Sequence, residues 1–100
     1  MKKVILGSSN TSGIYLVPDS VAENLGQYCM EFRDSWLWKS PDAGRYRSRD
    51  GLRYDESDFI DYLNRYVFPN ESSRLVQDIS EVNFRKKFPK EYEKLPCFLF

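Results

Sequence analysis

The stretch PDSVAENLGQYCMEFRDSWLWKSP, residues 18–41, constrains this chain most. Val21, Leu25, Tyr28, Cys29, Phe32 and Trp36 recur at three- and four-residue spacing. That spacing places them on one stripe of an α-helix. Glu23, Gln27, Glu31 and Asp34 fall away from it. Such a segment must bury its stripe against another layer. Asp19 or Ser20 is expected to cap the helix, and Ser20 with Glu23 has capping-box spacing. Gly26 is a weak point within it. The helix should stop before Pro41, because the residue ahead of a proline avoids the α region.

Three large residues do not fit that stripe. Met30, Leu37 and Trp38 lie off it, and Trp38 falls on the far side of the wheel from Trp36. Two readings stand. Either the helix ends near Ser35 and the chain turns Trp38 inward, or Trp38 is exposed with Met30 or Leu37 as an anchor for a partner.

The opposing layer is read from the strand formers. KKVIL and IYLVP make a first β-hairpin, joined through the loop GSSNTSG at residues 7–13. A glycine-bounded, hydroxyl-rich loop can cradle phosphate. Such a cradle needs a helix starting directly after the loop, so that free N–H groups meet the anion. Here a strand follows, and the lysine of a Walker loop is missing, so the loop reads as a polar turn.

GRYRSRDGLRY, residues 44–54, reads as a second hairpin around Asp50-Gly51, a type I′ turn pair. That register pairs Arg49 with Leu52 and Arg47 with Tyr54. It sets Arg45, Arg47, Arg49, Leu52 and Tyr54 on one face, and Tyr46, Ser48, Arg53 and Asp55 on the other. Neither face is cleanly apolar, so the hairpin is expected to be exposed or at a sheet edge. Residues 55–68 form the second helix, capped by Asp55 with Asp58 three positions on. Phe59, Ile60, Tyr62, Leu63, Tyr66 and Val67 make its buried stripe. Asp58, Asp61, Asn64 and Arg65 make its wet face. Residues 74–84 read as a strand, with a helix as the alternative. Pro89 can begin a short helical turn, and CFLF at the C-terminus packs on the core or adds a last strand.

The sum is a single α+β domain spanning 1–100. It has a mostly antiparallel sheet of two hairpins plus a C-terminal strand, and two amphipathic helices packed on one side. Met1 at its head marks it, as an expectation, as a whole small protein.

Function classes fall away in turn. With no histidine, Ser-His-Asp and Cys-His constellations cannot form, and the commonest metal ligand is absent. Cys29 and Cys97 have no zinc spacing and read as thiols of a reducing cytosol. The apolar run after Lys2-Lys3 is too short for a signal peptide, and no run reaches membrane-spanning length, so the expected location is the cytoplasm without a membrane partner. Charge balances over the chain and comes within one unit of balance in each half, so no global field draws the protein to nucleic acid. The carboxylates Asp55, Glu56, Asp58 and Asp61 read as a helix start and its wet face. Neither catalytic residue nor cofactor is expected.

What remains is a surplus of Trp, Tyr and Arg, the residue types that dominate interfaces. The leading expectation is a non-catalytic cytoplasmic protein-binding module of immunity-protein or phage-accessory/inhibitor type. Its candidate contact residues are Trp38, Met30, Leu37, Arg45, Tyr46, Arg47, Arg49, Arg53 and Tyr54. The first alternative is nucleic-acid binding through the hairpin 44–54, where four arginines alternate with aromatics. The second is an enzyme working with carboxylates alone. An edge strand could also pair across a two-fold axis to give a homodimer.

Overall fold

The computed structural model describes residues 1–9, 11–80 and 90–100. Two β-strands, β1 (Lys2–Gly7) and β2 (Ser12–Val17), form the first hairpin and the centre of a four-stranded sheet. Val4 stands opposite Tyr15, and Ile5 opposite Ile14. Alternation then splits the side chains between two faces. Val4, Leu6, Tyr15 and Val17 join the main core under the helices. Ile5 and Ile14 point the other way and meet Ile79, Tyr92 and Leu95.

The outer strands are β5 (Arg74–Asp78) beside β2 and β6 (Cys97–Leu99) beside β1, giving the order β5-β2-β1-β6. β5 is antiparallel to β2, and β6 is parallel to β1. β5 and β6 therefore run the same way at opposite edges of the sheet. On the face away from the helices, Ile79, Tyr92 and Leu95 pack with Ile5 and Ile14. The expected strand over 74–84 is present from 74 to 78; residues 81–84 and Pro89 lie outside the described residues. A short 3₁₀ turn, Lys90–Tyr92, follows.

The first helical layer runs through α1 (Asp19–Glu23), α2 (Leu25–Glu31), a π-helical turn (Phe32–Trp36) and α3 (Leu37–Lys39). Val21, Leu25, Cys29 and Phe32 are buried as the spacing predicts. The expected cap does not form. Pro18 holds the cap position without a side-chain bond, so Ser20 already lies in the first turn. Asp19 meets the N-terminal ammonium at 2.8 Å, and Glu23 meets Lys2 at 2.9 Å. Asn24 interrupts the helix at φ −131°, ψ 39°.

The π turn corrects the reading of Leu37. In it the Leu37 N–H donates to the Phe32 carbonyl, a five-residue step. One extra residue per turn advances the buried face from position 36 to position 37. Phe32 and Leu37 are both wholly buried, while Trp38 stays outside. The second helix repeats the device. α4 (Glu56–Tyr62) continues through a π turn (Leu63–Val67), and the Phe68 N–H donates to the Leu63 carbonyl at 2.7 Å. Val67 and Phe68 pack against the core, whereas Tyr66, expected in the buried stripe, is 48% exposed. The Asp55 cap forms as expected: its carboxylate accepts from the Ser57 and Asp58 N–H groups, and Asp58 accepts from the Asp55 N–H.

Between the helices lie a 3₁₀ segment (Pro41–Tyr46) and the short hairpin β3 (Arg47–Ser48) and β4 (Gly51–Leu52). This hairpin pairs with itself, apart from the main sheet. Its register differs from the type I′ expectation. Arg47 pairs with Leu52 and Ser48 with Gly51, so Arg49-Asp50 forms the turn. Gly51 has φ 117°, and among the described residues no residue other than glycine has positive φ. Asp50 therefore does not enter the left-handed region that a type I′ turn requires, and Gly51 alone takes the unusual conformation after the turn.

Candidate functional site

The helices and the 3₁₀ segment enclose a small cleft whose floor grows out of the aromatic core. Phe32 stacks on Tyr62 with ring centroids 5.1 Å apart, and Tyr62 stacks on Trp36 at 5.0 Å. Trp36 then meets Tyr66 at 5.2 Å and Tyr46 at 6.2 Å. These rings lead from the closed interior to the surface. Asp42, Arg45, Asp61 and Arg65 form the rim, and the cleft holds about 120 Å³. The Arg45 guanidinium lies over the Tyr46 ring, 4.8 Å from its centroid, and donates to the Tyr46 hydroxyl. That hydrogen bond, with the nearby carboxylates of Asp58 and Asp61, holds the guanidinium more firmly protonated than usual. The cleft combines aromatic rings with two carboxylates and two guanidinium groups at its rim.

The predicted contact residues separate into three groups. Trp38 is 53% exposed and Met30 is 50% exposed. Both sit on the helical layer whose other side seals the core, so the inward-turning alternative for Trp38 is removed. Arg45, Arg49 and Arg53 are exposed as well. Leu37, Tyr46 and Tyr54 belong to the interior instead. Leu37 and Tyr46 are core residues, and Tyr54 packs edge-on to Phe32 and Phe100, each at 5.7 Å. The two-residue shift in hairpin register, with Tyr46 held in the 3₁₀ segment, is the reason the tyrosines are not displayed as expected.

Arg47 forms the third group. Its Nε–H donates to the Leu37 carbonyl at 2.8 Å, and its terminal N–H donates to the Ser40 carbonyl. It ties the hairpin to the end of the first helical layer, where unpaired carbonyls need donors. The arginine spacing alone does not separate this anchoring residue from its exposed neighbours.

Tyr66 and Arg65 are surface residues of the cleft that the sequence reading assigned to the core stripe and the wet face. The signal that would have found Tyr66 is the π turn, which periodicity at 3.6 residues cannot register. Asp55 and Asp58 are spent on the helix cap, while Asp61 lies at the rim of the aromatic cleft. Burial raises the Asp58 carboxyl above its ordinary range. Among the described residues, no group of three carboxylates or cysteines can hold a metal ion.

GSSNTSG is a tight hairpin end. The strands run on through Gly7 and Ser12, and the Ser8 N–H donates to the Thr11 carbonyl at 2.8 Å. A Cβ on Gly13 would stand 2.6 Å from Leu75 Cδ1, so that glycine serves close packing of β5. Cys29 is buried and Cys97 exposed, both as free thiols. Among the described residues, no helix is long and apolar enough to cross a membrane. No protein-family model, curated protein or solved structure matches the chain.

Proposed function

We propose that this chain is a non-catalytic protein-binding module of the cytoplasm, acting as immunity proteins or phage accessory and inhibitor proteins do, by occluding or adapting a protein partner. The observation that carries the reading is Trp38. It is a large aromatic side chain on the helical layer, 53% exposed, on the side away from the core. Met30 exposes a second large apolar side chain on the same layer, and the Trp36–Tyr66 cleft with Arg45 and Arg65 offers a polar-rimmed aromatic surface. Interfaces place their binding energy in a few such Trp, Tyr and Arg anchors.

The test is quantitative capture from the native host with wild-type chain and with Trp38→Ala. A protein retained by the first and lost from the second, with both baits folded, supports the reading. Equal retention by both refutes Trp38 as the anchor. Tight binding of a labelled oligonucleotide at about 50 mM salt, falling steeply as salt rises, would favour the nucleic-acid alternative.

A further inference from the structure

A second site lies where β2, β5 and the start of α4 meet. There Tyr15, Asp55, Glu56, Leu75, Asp78 and Ser80 line a cavity of about 240 Å³. Glu56 is 4% exposed, and its Oε2 is sealed from solvent with no hydrogen-bond partner. The neighbouring carboxylates are already engaged. Asp55 accepts from the first turn of α4, and Asp78 accepts from the Ser80 N–H and hydroxyl at 2.9 and 2.6 Å. Among the described residues, no Lys or Arg lines the cavity. A buried carboxylate without donor or counter-ion is costly, because neither water nor an opposite charge offsets its desolvation. All three carboxylates act on Tyr15, whose hydroxyl is pushed up to about 12, first by burial and then by Glu56, Asp55 and Asp78.

We propose that this cavity binds a primary alkylammonium group, with Glu56 as its counter-ion and the Tyr15 ring and Leu75 flanking its carbon stem. Three negative groups outweigh the roughly half positive charge at the start of α4. A divalent metal does not suit the site, since the described residues contain no metal-holding group of three. With the Glu56 side chain turned toward the cavity, an ammonium brings three donors to its idle oxygen and to the cavity hydroxyls. Leu75 is half-exposed in the isolated chain, which leaves apolar surface for the stem. This site is separate from Trp38 and stands or falls independently of the protein-binding reading.

The experiment is a titration of the full chain with n-butylammonium chloride against equal concentrations of sodium chloride, followed by amide chemical shifts. Saturable shifts at Tyr15, Ser57 and Leu75 that sodium chloride does not reproduce are expected. Glu56→Gln should weaken binding about tenfold or more, the scale of one charged hydrogen bond. Asp78→Asn, at the exposed strand edge, should weaken it about threefold by removing a nearby charge, and it serves if the Glu56 variant does not fold. Absence of saturable shifts, equal binding by a folded Glu56→Gln chain, or displacement by calcium ahead of sodium at matched ionic strength would overturn the proposal. Nα-acetyl-lysine methylamide binding as tightly as butylammonium would identify a partner's lysine as the source. Binding about tenfold weaker would identify a free small amine.

Discussion

Leu37 and Trp38 are neighbours in sequence with opposite fates, and substituting each in turn tests the π turn that separates them. Leu37 is wholly buried within the main core, and Trp38 is 53% exposed. Leu37→Ala removes a side chain that close-packed neighbours can replace only in part. Its cost is about 2–5 kcal/mol, the lost transfer energy plus that of the cavity. For a domain of this size that lowers the melting temperature by about 8 °C or more. Trp38→Ala removes a larger side chain, yet one about half exposed, so its cost is smaller, about 1 kcal/mol. Urea unfolding followed by circular dichroism measures both, with the slope showing whether the unfolded states compare. A Trp38→Ala cost above about 2 kcal/mol, or a Leu37→Ala cost below about 1 kcal/mol, would refute the shifted face. The Leu37 result would restore the uninterrupted α-helix that the apolar spacing implies, and the Trp38 result would restore the reading in which Trp38 turns inward.

Further consequences are as direct. Arg47→Ala leaves the Leu37 and Ser40 carbonyls without their donor and should cost about 1–2 kcal/mol, whereas Arg49→Ala, at the hairpin turn, should cost almost nothing; thermal melts compare them. Asp55→Ala removes the capping box of α4 and should cost about 1 kcal/mol by the same measurement. Tyr15 ionises near pH 10 in an unfolded chain and only at about 12 in the fold. Its contribution is therefore complete below pH 10 and is lost as pH rises through about 12; Tyr15→Phe should flatten that part of a stability–pH profile. A thiol reagent should label Cys97 in the native protein and Cys29 only on unfolding, because Cys29 is wholly buried and its thiol is pushed up to about 12, chiefly by burial.

The two layers were legible in sequence because they rest on local periodicity. Val4, Leu6, Tyr15 and Val17 alternate, and Val21, Leu25, Cys29 and Phe32 repeat at helical spacing, so the facing surfaces of sheet and helix follow from the chain alone. The Asp55 cap was equally local, needing only its own first turn. The candidate surfaces were harder to read. Helical spacing marks Trp38 as a misfit, but the same local pattern sets Leu37 and Tyr46 with the exposed residues and Tyr66 with the core.

The amino-acid sequence by itself determined an α+β layering, the first hairpin, both amphipathic helices and a chemistry without histidine. The tertiary structure decided where the buried face goes after Phe32 and after Leu63, since a π turn forms only when packing rewards the extra residue. It decided that the second hairpin stands apart and that Arg47 closes a helix end, because both depend on contacts between elements distant along the chain. It also brought Glu56 beside Tyr15 and Asp78. Periodicity orders neighbours within one element, whereas that cavity exists only where three elements meet.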